Sequence, residues 1–184
     1  MRYEIIMHIV YTGEPFPEKV VKSMFLAGPT PRSVDVKSWR PEALEILKKL
    51  GYDGHIFVPE WREGPAEEKD FSYEGQINWE TDGLNRADKI IFWVPRNLET
   101  MPALTTNVEW GTWHDSGKVV FGAPPHAPKN KYLKLMAEKL FVPQFETLEK
   151  TLSHAVYCLD EGAERNGGEC KVPLCIWKTE SFQL

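Results

Sequence analysis

Two carboxylates sit in patterns that give them more to do than solvate a surface. Glu109 lies in TTNVEWGTWHDSGK, the stretch from Thr105 to Lys118. Thr106 precedes it by three residues, the spacing of a capping box, in which each side chain satisfies the other residue's backbone N–H at a helix start. That reading puts Glu109 in the first helical turn, where the positive end of the helix dipole keeps a carboxylate ionised. An ionised carboxylate held in position is a nucleophile. Glu80 shares a helical face with Ile77, Leu84 and Ala87. It is therefore placed among residues expected to be buried, where a carboxylate needs a partner or a task. A salt bridge to Arg86 or a loop N–H contact would meet that need equally well.

The elements that must position these groups alternate short apolar runs with longer helical patterns, as in βαβ units around a parallel sheet. Lys22 to Gly28, His55 to Pro59, Lys89 to Pro95 and Lys118 to Gly122 are nearly continuous apolar runs, as strands buried on both faces require. Tyr3 to Tyr11 is expected to add a strand ahead of them, giving a parallel sheet of about five strands. Helices are expected over Ser38 to Leu50, Tyr73 to Ala87, Thr106 to Ser116, Asn130 to Leu140 and Phe145 to Leu159. The first has Pro41 in its opening turn and Gly51 as its stop. A short strand near Phe141 and Val142 separates the last two. The tail from Arg165 to Leu184, with Gly167-Gly168 and then VPLCIW, reads as an edge strand or an arm that docks on a partner chain.

In open α/β sheets ligands bind beyond the carboxyl ends of the strands, at a switch point in strand order. The loops after the strands are therefore the place for a site. They carry Gly28, Pro29, Thr30, Arg32 and Ser33 after the first run, Glu60, Trp61 and Arg62 after the second, and Arg96 after the third, ahead of Asn107 and Glu109. Taken alone, Gly28 and Pro29 are as well explained by a tight turn. GPTPRS lacks the GxxxxGK[ST] pattern whose lysine reaches phosphates, which argues against a nucleoside-triphosphate enzyme.

Composition narrows the partners. A chain of 184 residues with 42% hydrophobic content fits one domain over residues 1–184, with 1–21 an added strand and loop and 164–184 a tail. A net charge of -5 argues against a nucleic-acid polymer or an anionic membrane as partner. A small molecule fits better. No run approaches membrane-spanning length, and Glu4 and His8 interrupt the apolar start, so no signal peptide is expected. Cys158, Cys170 and Cys175 suit free thiols in a reducing cytoplasm, and no His/Cys cluster completes a metal site. No metal or cofactor is expected. His114, His126 and His154 have no spacing that marks catalysis. The seven tryptophans suit core and subunit packing, with one or two free to stack on a base.

The ordered set FLAGPTPR, SWRPEAL, FVPEWREG, QINWETDGLNRADKIIFWVPR and TTNVEWGTWHDSGK resembles the nucleoside 2-deoxyribosyltransferase-like family over roughly Lys22 to Tyr132. The resemblance implies a flavodoxin-like, Rossmann-like three-layer α/β sandwich that cleaves an N-glycosidic bond through a covalent glycosyl-enzyme ester. It implies that Glu109 is the nucleophile, in an N-x-E-x-G context with Asn107 and Gly111. It implies that Glu80 handles the departing base and that the Gly28 to Arg32 loop surrounds sugar and base. It also implies a homodimer or larger homo-oligomer with the site close to an interface. Two positions depart from the pattern: glutamate stands at position 80, where the base-swapping members usually have aspartate, and Ala103 stands where they have another aspartate.

Two carboxylates flanking a glycosidic bond, one attacking the anomeric carbon and one managing the leaving group's proton, make a retaining mechanism. The leading expectation is sugar transfer between nucleobases. Hydrolysis of a nucleoside 5′-monophosphate is the alternative, since Arg32, Arg40 and Arg96 add guanidinium that suits phosphate. A binding module that kept the fold without catalysis is a third.

Overall fold

The computed structural model describes residues 7–20, 22–62, 72–160, 165–166 and 169–170. Strands β1 (His8–Tyr11), β2 (Ser23–Ala27), β3 (His55–Val58), β4 (Lys89–Trp93), β5 (Val119–Gly122) and β6 (Gln144–Phe145) form one sheet in the order β1-β3-β2-β4-β5-β6. All five pairings are parallel. The sheet thus has six strands rather than five. With β1 set aside, the order is that of a flavodoxin-like doubly wound sheet, whose switch point lies between β2 and β4.

Side chains alternate across the strands and build two cores. Phe25, Phe57, Ile90, Phe92 and Phe121 face α2 (Tyr73–Arg86), α3 (Leu104–Trp113) and α4 (Lys131–Lys139), which contribute Trp79, Leu84, Trp110, Leu133 and Ala137. Met24, Leu26, Ile56, Ile91 and Val120 face α1 (Arg40–Lys49) and α5 (Leu148–Asp160), which contribute Ala43, Leu47, Leu152 and Ala155. Every residue of β2, β4 and β5 is buried, as the continuous apolar runs require. Together these make the expected three-layer α/β sandwich.

Helix ends explain where expectation and structure part. Helix α1 stops as expected: Gly51 takes φ 73°, and the Gly51 and Tyr52 N–H groups reach back to the Lys48 and Leu47 carbonyls. That is a Schellman turn. Helix α4 closes in the same way, with Phe141 at φ 56° and the Val142 N–H donating to the Ala137 carbonyl at 2.8 Å. Phe141 and Val142 are consumed by this turn, so the short strand forms at Gln144 and Phe145 instead. The largest difference is at α3, which begins at Leu104 after a left-handed Ala103 (φ 59°, ψ 41°) with no side-chain cap. Thr106 is therefore inside the helix, its buried Oγ1 has no hydrogen-bond partner among the described residues, and the capping box with Glu109 does not form.

In the tail, β7 (Arg165–Asn166) and β8 (Glu169–Cys170) pair antiparallel. The start of the expected first strand, residues 3–6, and the apolar stretch over 172–177 lie outside the described residues. Among the described residues no helix is long and apolar enough to cross a membrane.

Candidate active site

At the switch point β2 runs straight into Gly28, which takes φ 150°. A Cβ there would collide with the Trp93 carbonyl oxygen and sit 2.9 Å from Trp39 Cζ2. Glycine thus lets the chain leave the sheet hard against β4. The Trp39 indole N–H donates to the Pro29 carbonyl at 3.1 Å and holds the turn that follows.

A cleft of about 590 Å³ opens beside that turn. Its floor includes Gly28, Pro29, Thr30 and Arg32, one wall is α2 with Tyr73, Gln76, Ile77, Glu80 and Leu84, and the other is α3 with Leu104, Val108, Glu109 and Trp113. Glu80 and Glu109 thus approach one space from different helices. Ile77 is 45% exposed while Leu84 and Ala87 are buried in the core, so the helical face they share with Glu80 runs from the cleft into the core. Arg86 pairs with Asp82 at 2.9 Å. Glu80 instead accepts from Gln76 Nε2 at 2.9 Å, one turn earlier on α2.

The two carboxyls are electrically linked. Burial pushes Glu109 up to about 8, the charge of Glu80 pushes the same way, and Arg40 opposes both. Glu80 is also raised by burial, against the Gln76 hydrogen bond and Arg40. Glu109 lies in the second turn of α3, so the helix dipole does not hold it ionised as the capping-box reading requires. Like charges in one low-dielectric space resist ionising together, which favours a proton on the pair.

Of the residues singled out from sequence, Gly28, Pro29, Thr30, Arg32, Glu80 and Glu109 line this cleft. Glu60, Arg96 and Asn107 do not. Glu60 accepts from Arg40 Nη1 and from the Ser38 hydroxyl, each at 2.7 Å. Arg96 is 7% exposed and donates to Asn107 Oδ1, the Pro102 carbonyl and Asn130 Oδ1. These residues brace the loops. Arg40, considered for phosphate, lines the cleft but is 1% exposed and bound on several sides. Trp113, one helical turn after Glu109, lines the cleft as one of the tryptophans placed to stack on a base, whereas Gln76, one turn before Glu80, was not expected at the site. That spacing was the available signal.

A family model described as nucleoside 2-deoxyribosyltransferase like matches residues 21–127, more than half of the chain. Among solved structures the chain is similar to a 2-deoxyribosyltransferase from the psychrotolerant bacterium Bacillus psychrosaccharolyticus. The identity is 21%, over 71% of this chain and 90% of that one, with a TM-score of 0.47. No curated protein matches. Every described residue lining the cleft falls within the range matched by the family model. The chain belongs to the nucleoside 2-deoxyribosyltransferase-like family.

Proposed function

We propose that the protein cleaves the N-glycosidic bond of a nucleoside and transfers the 2-deoxyribosyl or ribosyl group to a second nucleobase. The observation that carries this reading is the pair of carboxyls, Glu80 and Glu109, facing one cleft from two helices. The cleft suits a nucleoside, since Tyr73, Leu84, Val108 and Trp113 give apolar wall for a base and polar groups including Thr30, Gln76, Glu80 and Glu109 converge beside them.

The reaction needs the form in which Glu80 carries the proton and Glu109 the charge, the reverse of the preference that burial and the Glu80 charge give Glu109. A Glu109 oxygen attacks the anomeric carbon through an oxocarbenium-like transition state as the bond to the base nitrogen breaks. The bonding pair leaves with the base, which takes the Glu80 proton. A glycosyl ester on Glu109 and a Glu80 carboxylate remain. An incoming base then attacks the same carbon, expels Glu109 and gives a proton back to Glu80. Inversion occurs twice, so configuration is retained.

A second reading, hydrolysis of a nucleoside 5′-monophosphate, has its own support in Arg32. Its side chain is exposed at the cleft, with no side-chain hydrogen bond or ion pair among the described residues. Water would then resolve the ester. The exposed apolar residues Tyr73, Ile77, Leu104 and Val108 at the rim favour a homo-oligomer that covers them.

The test is incubation with nucleosides and their monophosphates, with and without an acceptor base, monitored for free and exchanged base. Wild-type protein is also trapped with a slow-reacting 2-fluoro sugar substrate and its mass measured. Sugar bound to a peptide containing Glu109 is the expected result. Release of base with no ester, or with the ester elsewhere, sinks the mechanism, and binding with neither means a module without catalysis.

A further inference from the structure

The side chain of Arg40 is 1% exposed and still forms part of the lining of the cleft that holds Glu80 and Glu109. Its donors are largely committed. Nε donates to the Leu26 carbonyl at 3.0 Å, Nη2 to the Gly28 carbonyl at 2.8 Å, and Nη1 to Thr30 Oγ1 at 3.1 Å and Glu60 Oε1 at 2.7 Å. The guanidinium also lies 4.8 Å from the centre of the Trp39 ring. A group anchored this way to the end of β2 is poorly placed to swing out and grip a substrate. It offers the cleft a fixed positive charge, offset by a carboxylate that stands outside the lining.

We propose that the Arg40–Glu60 ion pair is a positioning device for the glycosidic reaction: Arg40 holds the Gly28 to Thr30 loop against the cleft and sets the electrostatic potential at Glu80 and Glu109, and Glu60 limits that potential. This role rests on the glycosidic reading. It explains why a buried arginine needs both backbone and carboxylate partners here, since a lone buried charge is costly and an ion pair alone leaves donors unsatisfied. The ionisable groups facing Glu109 across the cleft, among the described residues, are Glu80 and Tyr73 of α2, Arg40 of α1 and Arg32 of the loop between β2 and α1. Arg40 is the buried cation of that set, and its charge opposes the upward shift of both carboxyls. Screening is weakest where water is excluded.

The ion pair permits a test in two directions. Removing the guanidinium leaves the carboxyl pair with less positive potential, and removing the Glu60 charge leaves it with more. The titration of Glu109 is followed by NMR in full-length protein labelled with carboxyl-13C glutamate, alongside the pH profile of kcat/KM. Arg40→Gln is expected to move both the titration and the acidic limb to higher pH by about one unit. Glu60→Gln is expected to move both to lower pH by about half a unit, and Arg40→Lys to restore much of the wild-type profile. A merely structural pair would lower activity and melting temperature without opposite shifts.

If Arg40→Gln does not fold, Glu60→Gln and Arg40→Lys still decide the matter. A Glu60→Gln titration that stays with wild type or moves upward overturns the proposal. NMR shifts as expected in a protein that releases no base from any substrate sink the glycosidic reading, and with it this role in the reaction.

Discussion

Arg96 Nη2 donates to Asn107 Oδ1 at 2.7 Å, which fixes α3 two residues before Glu109. The same guanidinium donates to the Pro102 carbonyl at 3.0 Å and to Asn130 Oδ1 at 3.1 Å. Asn130 Nδ2 in turn donates to the Val94 carbonyl at 2.9 Å. The end of β4, the loop before α3 and the start of α4 are thus tied through one buried cation held by neutral acceptors.

Arg96→Met keeps much of the bulk and removes every donor. Three acceptors lose their partner, so the expected loss of stability is about 2–4 kcal/mol. Because α3 carries Glu109, kcat should fall more than KM rises. Urea unfolding and steady-state kinetics on one preparation check this. An unchanged unfolding midpoint would mean that the network contributes little.

Glu109→Gln should cut base release by at least about 10³-fold, because a neutral amide is a very poor nucleophile toward an anomeric carbon. The same substitution should stabilise the fold at alkaline pH. Burial and Glu80 raise the folded-state value of Glu109 to about 8, above its ordinary value near 4.5, so the folded protein binds more protons than the unfolded chain between those limits. The stability this provides is fully present below about pH 4.5 and is lost as pH rises through 8. Glutamine has no proton to lose. The variant and wild type should melt alike near pH 5 and diverge by on the order of 1–3 kcal/mol at pH 8–9, allowing for residual solvent contact. Melting curves across that range test the sign.

Arg32→Ala separates the two substrate readings. If its exposed guanidinium binds a 5′-phosphate, KM for the monophosphate should rise about tenfold or more while nucleoside turnover barely changes. Equal losses on both substrates assign Arg32 to the loop, whose backbone is tied by its N–H to the Thr100 carbonyl at 3.0 Å.

Gly28→Ala should destabilise by about 2–3 kcal/mol. The new Cβ would meet the Trp93 carbonyl, which is backbone and cannot step aside, and the residue would hold φ 150°. The displaced Pro29 and Thr30 should also raise KM. A variant with wild-type melting and kinetics would show that the turn adapts freely.

Local residue pattern determined most of the elements. Apolar runs set β2 to β5, an apolar stripe and Gly51 set α1, and the same local logic drew attention to Glu80, Glu109 and the Gly28 to Arg32 loop. These signals are legible because they depend on neighbours within a turn or a strand. Thr106 and Glu109 show where that logic stops: their spacing suits a capping box, yet the left-handed Ala103 starts α3 two residues earlier and turns Thr106 inward. Arginines expose the same limit. Arg32, Arg40 and Arg96 are alike in sequence, but partners such as Glu60 for Arg40, 20 residues away, and Asn130 for Arg96, 34 residues away, leave only Arg32 exposed at the cleft. Burial and the charges that converge across the cleft are long-range quantities, so the electrostatic coupling of Glu80 and Glu109 was decided by the tertiary structure alone.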